Sequence, residues 1–479
     1  MGIFVVMPFS TAFSETLQLP DFGDSSSRTI SKSEEVKLGK LIIRQLHREM
    51  NFIDDADITG YVSDLGYQLV SHLEEKNNQY QFFVVQNNTI NAFALPGGFI
   101  VVHSGLITKT DSESEMAAVL AHEISHVSQN HIAQAMARSH VTGLMNIAGV
   151  LLAVIAGSQN PEIGQAALYS TIAAGAQDQL DYSRVNEKEA DRVGIDLLYH
   201  SGYDPNSMSK FFNKLLQESR TFGMEVPEFL RTHPVTESRI ADARNRAEQF
   251  KVNKIRATRL PYFLIKAKLK VLTGDMHYDM DFFRKQLSNA ISIQQKAGAR
   301  FGIALALQKE HHTIKAIDHM QQLLKEDPDR LEYLVTTADM HMEIGHNDAA
   351  LTLYEKAIAL NPKNVYAVRQ YATALLSLHQ NKQAISLLRN QIQSMTDDAS
   401  PVFYHLLSRA YGANDDLINA YISNAQYYFL IGQAETAISQ LETAKKLPKL
   451  TEFHRLRIDD RLKQYKAIAL EESKIKDVK

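Results

Sequence analysis

The segment His122-Glu123-Ile124-Ser125-His126 combines residue types and a spacing suited to metal-assisted hydrolysis. Histidines four apart lie one turn apart on a helix face, where each can offer a ring nitrogen to the same ion. Glu123 then stands beside that ion. Its carboxylate is placed to take a proton from a water whose pKa the metal lowers from about 15.7 towards roughly 7. Solvated helix faces also carry such patterns, so the surroundings decide. Ser112 with Glu115 reads as a capping box, and Met116, Val119, Leu120, Ile124 and Val127 recur at helical spacing. The pattern therefore sits inside an amphipathic helix.

A zinc ion held for chemistry needs a third protein ligand. Gln129 and Ile132 occupy the positions where a glycine and a third histidine of the same segment would stand, so the ligand must come from elsewhere. Asn186-Glu187-Lys188-Glu189-Ala190-Asp191 supplies candidates. Glu187 and Asp191 share a helix face, whereas Glu189 lies two steps of about 100° away and is the poorer ligand. Ala190, Val193 and Leu197 give this segment a buried stripe of its own. Two carboxylates a turn apart suit an arrangement in which the first binds the metal and the second orients a ligating histidine.

Together the two segments resemble the gluzincin metallopeptidases of the HtpX and CAAX-protein endopeptidase type, over roughly residues 53–250. The resemblance implies His122, His126 and Glu187 as ligands of one Zn2+ per chain. It implies Glu123 as general base and Asp191 as the carboxylate that hydrogen-bonds His122. It also implies that Asn91, Ala92, Phe93 and Ala94 form a substrate strand, an edge pairing with an extended polypeptide through backbone hydrogen bonds. Gly97-Gly98 would equally make this an ordinary hairpin leading into Phe99-Ile100-Val101-Val102.

His233-Pro234, with Arg239 six residues on, matches a further family segment. Pro234 reads as the first position of a helix carrying Ile240, Ala243 and Ala247, which puts His233 at that helix's N-terminus. There it caps the helix, donates to the oxyanion, or fills the fourth zinc position and holds the enzyme closed. Arg239 is either a surface charge or a donor to the site. Members of the HtpX type span the membrane; here the apolar run Leu144 to Gly157 falls short of the ~20 residues required. Residues 141–175 read as a buried helix packed by small residues, a lid over the cleft, or an amphipathic hairpin touching a membrane.

From about Arg259 the texture changes. Ala316, Ala350 and Ala384 recur every 34 residues, as do His311, Gly345 and His379, while Pro328 and Pro362 close two of the units. This is the tetratricopeptide period, and such units stack into a solenoid whose concave face binds protein segments. The register then slips: Gly432 and Ala437 restart the pattern after an insertion filled by Pro401 and a helix from Val402 to Tyr411, for about four repeats in all.

The expected architecture is α+β, mostly α: a zincin-type metallopeptidase domain with a small β-sheet over 30–250, then an α-helical repeat solenoid over 259–479. The chain has 479 residues, a formal net charge of −4 and no Cys. That balance gives no reason to expect nucleic acid, and a His/Glu metal site tolerates an oxidising compartment. Ile3 to Phe9 is a short apolar core followed by small residues, so 1–14 reads as the remnant of a secretory signal, although the charged leader is missing and the first basic residue is Arg28.

A secreted zinc peptidase joined to such repeats resembles the periplasmic proteases of outer-membrane protein quality control. The resemblance implies a periplasmic endopeptidase and chaperone acting on unfolded or misassembled outer-membrane proteins. It implies contact with the barrel-assembly machinery through the repeats and at most peripheral membrane contact. The rival reading is a repeat-based chaperone or adaptor whose metal site is mostly closed.

Overall fold

Helix starts along the chain are set by side chains that satisfy free backbone N–H groups. Ser31 and Glu34 form a reciprocal capping box for α1 (Lys32–Glu49), and Asp55 accepts from Asp57 and Ile58 to open α2 (Ala56–Val70). The computed structural model describes residues 31–73, 79–138, 144–159, 176–221, 227–251, 254–274, 276–395 and 400–476. The signal-like residues 1–14 and residues 141–143 and 160–175 lie outside these.

After α2 come β1 (Gln81–Val85), β2 (Ala92–Leu95) and β3 (Phe99–His103), which form one sheet in the order β1-β3-β2. β1 runs parallel to β3, and β2 pairs antiparallel with it from Ala92↔Val102 to Leu95↔Phe99. Pro96-Gly97-Gly98 makes the turn, with both glycines at positive φ (76° and 85°). A Cβ on Gly98 would lie 1.7 Å from Gln79 O, so no side chain fits there. β2 and β3 are thus a hairpin, and β2 is also the sheet's edge; the two readings of Asn91 to Gly98 do not exclude each other.

α3 (Ser104–Lys109) leads to α4 (Glu113–Ser128), which carries the histidine pair and is buried along almost its whole length. Ser112 caps it by accepting from Glu115 N. The reverse half of the expected capping box is not made: Glu115 accepts from Asp111 N instead. Next come α5 (His131–Arg138), α6 (Leu144–Gln159), α7 (Ala176–His200), α8 (Ser207–Thr221), α9 (Glu228–Thr232) and α10 (Glu237–Glu248). In α6, Ile147, Ala148 and Leu152 are buried against α1, which is the packed-helix reading for the described part of 141–175. Among the described residues no helix is long and apolar enough to cross a membrane.

The change of texture at Arg259 coincides with the start of α11 (Leu260–Thr273), yet this helix belongs to two cores. Tyr262, Ile265 and Leu269 pack with the β-sheet and α4, while Leu264, Ala267 and Val271 pack with α12 (Met276–Asn289) and α13 (Ile293–Lys309). The solenoid continues through α14 (Thr313–Glu326), α15 (Leu331–Glu343), α16 (Asn347–Leu360), α17 (Val365–Ser377), α18 (Asn381–Ser394), α19 (Pro401–Gly412), α20 (Leu417–Leu430), α21 (Ala434–Lys445) and α22 (Glu452–Lys476).

Each helix pair turns on a left-handed residue: His311, Gly345 and His379 have φ of 61°, 77° and 58°. In each, the next N–H reaches back to the carbonyl five residues earlier, as His312 N does to Leu307 O. The expected insertion before the pattern restarts at Gly432 needs correction. Asp415 (φ 60°) repeats the turn, and Ala420, five residues after it, is buried just as Ala384 is five after His379. Spacing had lengthened by two residues, and an aspartate stood at the turn, so the 34-residue comb passed over it. Gly432 and Ala437 then repeat the same step once more.

The repeats fold back onto the peptidase. Lys268 of α11 forms ion pairs with Asp55 (2.9 Å) and Asp57 (3.3 Å) and lies 4.2 Å over the Tyr366 ring of α17. At the other end, Arg44 of α1 pairs with Glu472 of α22 at 2.7 Å, stacks 4.1 Å over Phe429 and donates to the Phe429 carbonyl. Lys268→Met is expected to leave two carboxylates unpaired in a largely buried joint, a loss of about 3–5 kcal/mol. Thermal unfolding of the whole chain checks this; an unchanged midpoint would show the joint to be incidental.

Candidate metal centre

α4 and α7 cross closely enough to share a site because Gly194 lies at their contact. A Cβ there would come within 2.9 Å of Met208 Cε and 3.3 Å of the Ala121 and His122 backbone. That approach brings Glu187 beneath the histidines of α4. The loop after α9 supplies the last member, His233.

Four donor atoms converge. His122 Nε2 lies 3.1 Å from His126 Nε2 and 3.3 Å from His233 Nδ1, and Glu187 Oε1 lies 3.3 Å from His126 Nε2 and 3.0 Å from His233 Nδ1. Glu187 Oε2 is 3.4 Å from His122 Nε2. A tetrahedron with bonds of about 2.0–2.1 Å has edges of about 3.3–3.4 Å, so these separations fit one small divalent cation. His122, His126, Glu187 and His233 form the metal-competent cluster found among the described residues.

The electrostatics agree with a cation at this point. Burial would lower the His122 pKa, but hydrogen bonds to Asp191 and Glu187 outweigh it and hold the ring at about 10: the two acids draw positive charge to this point, which a bound cation would supply in place of the ring's second proton. Burial pushes His126 down to about 3, which leaves its Nε2 lone pair free. Glu187 is held well below the usual carboxylate range: His233, His122 and His126 together overcome its desolvation. Desolvation raises Glu123.

Around the donors stands a second set of contacts. Asp191 Oδ1 lies 3.0 Å from His122 Nδ1. Arg239, buried, grips Asp191 through Nε and Nη2 at 2.7 Å each and reaches Glu187 Oε2 at 2.8 Å with Nη1. Of the two readings of Arg239, the surface charge is therefore excluded. Glu123 Oε2 accepts from Ala94 N of the edge strand at 3.1 Å, while Oε1 has no hydrogen-bond partner and points towards His233 Nε2 at 3.5 Å. Asn91 is buried at the head of β2; Phe93 and Ala94 are half-buried along it.

The expected placement of His233 at a helix N-terminus is corrected. α10 begins at Glu237, because Thr236 accepts from Arg239 N and Pro234 offers no capping oxygen. His233 is instead the C-cap of the short helix α9, with its N–H on Phe229 O and its ring stacked on Phe229 at 4.9 Å. It therefore faces the carbonyl end of a helix. α9 is itself fixed from below, where Glu228 accepts from Thr89 and Phe229 N donates to Ile90 O.

One pair escaped the sequence reading. Asn130 adopts a left-handed turn (φ 55°) that folds His131 back onto α4. His131 Nδ1 lies 2.9 Å from His126 Nδ1, and His131 Nε2 lies 3.2 Å from Glu189 Oε2. Glu189, passed over as a ligand because it points away from Glu187, thus meets the site one residue further out. The signal was present in the histidine five places after His126, but only the turn at Asn130 reveals its use.

Comparison with known proteins agrees with this architecture. Residues 58–247 match peptidase family M48, and residues 341–404 match a tetratricopeptide repeat. The chain is 34% identical over 460 residues to the Beta-barrel assembly-enhancing protease of Escherichia coli (strain K12), covering 94% of this chain and 91% of that protein. It is 33% identical over 455 residues to the protein of the same name from Yersinia pestis, covering 94% and 92%. Among solved structures, a tetratricopeptide protein with an unusual peptide-binding site, YrrB, overlaps 39% of this chain and 91% of its own at 16% identity, with a TM-score of 0.29. The chain belongs to peptidase family M48, as a metalloendopeptidase with a tetratricopeptide region of the kind found in β-barrel assembly-enhancing proteases.

Because His131 steadies His126 from the side remote from the donors, His131→Ala is expected to weaken metal affinity about 10-fold while leaving the fold intact. Competition with a chromogenic chelator measures this. Affinity equal to that of the parent chain would mean that the contact is passive.

Proposed function

We propose that this protein is a zinc-dependent endopeptidase, with one ion per chain held by His122, His126 and Glu187. The observation that carries the reading is the set of donor separations, all 3.0–3.4 Å, with a partly unpartnered Glu123 beside it. When bound, zinc supplies a Lewis acid that polarises a carbonyl and makes water a nucleophile near neutral pH. Glu123 Oε1 accepts the proton of the attacking water and returns it to the leaving amine; the raised carboxyl pKa suits both transfers. Asp191 holds the His122 ring in the tautomer that presents Nε2 inward, and Arg239 fixes Asp191. Ala92, Phe93 and Ala94, following Asn91, offer the free edge of β2 to an extended substrate, and the Ala94–Glu123 hydrogen bond sets the base against that edge.

His233 acts in the resting state as the fourth ligand through Nδ1, which restrains hydrolysis until the loop after α9 moves. Its distances to Glu187 and His122 support this over a role as oxyanion donor. A closed metal site is also what the second reading requires, in which the repeats do the work as a chaperone or adaptor. By analogy with the relatives' name, the substrates are misassembled outer-membrane β-barrel precursors. The peptidase part, 30–250, cuts, and the repeats, 259–479, contact those precursors and the barrel-assembly machinery in the periplasm.

Glu123→Gln is expected to keep its zinc and lose hydrolysis of an unfolded substrate by at least about 10²-fold, whereas His126→Ala or Glu187→Ala loses the metal. Metal analysis beside a peptidase assay separates them, and equal zinc loss in all three would make Glu123 structural. For His233→Ala the expected result is faster hydrolysis at equal zinc content. A fall of about 10²-fold would assign His233 to the oxyanion instead.

A further inference from the structure

The C-terminal helix α22 does not simply close the solenoid. It stands off from α18, α19 and α20 and leaves a cleft of about 390 Å³. Arg457 and Arg461, four apart on one face of α22, line it together with Arg389 of α18. Tyr404 and Leu407 of α19 and Phe453 of α22 furnish an apolar wall beside them.

Charge is unbalanced in this cleft. No carboxylate is among its lining residues, and among the described residues none lies within ion-pair distance of the three guanidiniums. Arg461 has one long contact, 3.4 Å, to the Ile422 carbonyl. The neighbouring Arg455, which does not line the cleft, is by contrast matched by Glu452 at 3.8 Å. Partial burial and the adjacent Arg461 both lower the Arg457 pKa, so the pair repels itself in the absence of an anion. Phe453, two-thirds exposed, is an aromatic surface beside that charge.

We infer that this cleft binds an acidic, aromatic-bearing stretch of an unfolded polypeptide, with its side-chain carboxylates on Arg457 and Arg461 and its ring against Tyr404 and Phe453. The inference deepens the proposal that the repeats recognise protein, and rests on it. Guanidinium pairs recognise carboxylates by charge-assisted, often bidentate hydrogen bonds. Aromatic walls take up the neighbouring apolar side chain and stack on arginine as well. The volume lies in the range of pockets that hold small ligands, roughly 300–1,000 Å³, so it takes a short stretch and not a folded surface.

The test uses the full chain with Glu123→Gln, so that the probe survives. The probe is a fluorescent ten-residue peptide alternating Asp and Phe, and the control is the same peptide with Asn for Asp. Binding of the Asp peptide is expected to weaken tenfold or more in R457E/R461E, to weaken with salt, and to stay unchanged in R455E. Circular dichroism and zinc content of R457E/R461E should match the parent, and Arg457→Gln/Arg461→Gln should weaken binding with no reversal of charge. Equal affinity in R457E/R461E, or for the Asn peptide, overturns the proposal. If unfolded polypeptide still binds R457E/R461E as the parent does, the cleft is refuted while the repeats keep their general role. Failure of unfolded polypeptide to bind even the parent chain would refute that role itself.

Discussion

The centre depends on two carboxylates, one turn apart on α7, that are buried almost completely. Glu187 and Asp191 could not remain ionised in so apolar a setting without positive charge supplied from several directions. Arg239 grips Asp191 with two nitrogens and touches Glu187 with a third, and His122 lies between both acids. What is left over is a negative position among three imidazoles, the demand that a divalent cation meets. The packing follows from this: Gly194 lets α7 touch α4, and α9 is tied to the hairpin through Glu228 and Thr89 so that His233 reaches the same point.

Glu123 and the edge strand β2 are coupled by one hydrogen bond. Ala94 N donates to Glu123, so the sheet's edge strand also orients the carboxylate that stands beside the histidines. A sheet of three strands is enough for this because β3, the central one, is wholly buried and leaves β2 as a rigid edge.

The repeats are fastened to the peptidase at both ends of their run. α11 contributes to the peptidase core and to the first repeat, and α22 returns to pair with α1. The Lys268 and Arg44 joints bury charge at these contacts. α6 packs on α1 beside the second joint.

Local chemistry written in short periods was legible in the sequence. Two histidines four apart, two carboxylates four apart and alanines every 34 residues each express the geometry of one helix or one repeated pair, so spacing alone conveys them. Helix α4, the turn at Gly97-Gly98 and the first three repeat turns followed from this. What spacing does not encode is the meeting of segments far apart in the chain. Arg239 reaches Asp191 only because α10 packs on α7, and His131 and Glu189 are neighbours only through the turn at Asn130 and the crossing of α4 with α7. Pro234 is a common helix opener and so points to His233 as a helix start, whereas Thr236 has the better capping oxygen and His233 ends the preceding helix. Asp415 escaped because a two-residue shift defeats a fixed comb while leaving the physical step, a left-handed residue with an alanine five places on, intact. Sequence determines which side chains one helix presents together; only tertiary packing decides which helices bring their charges to the same point.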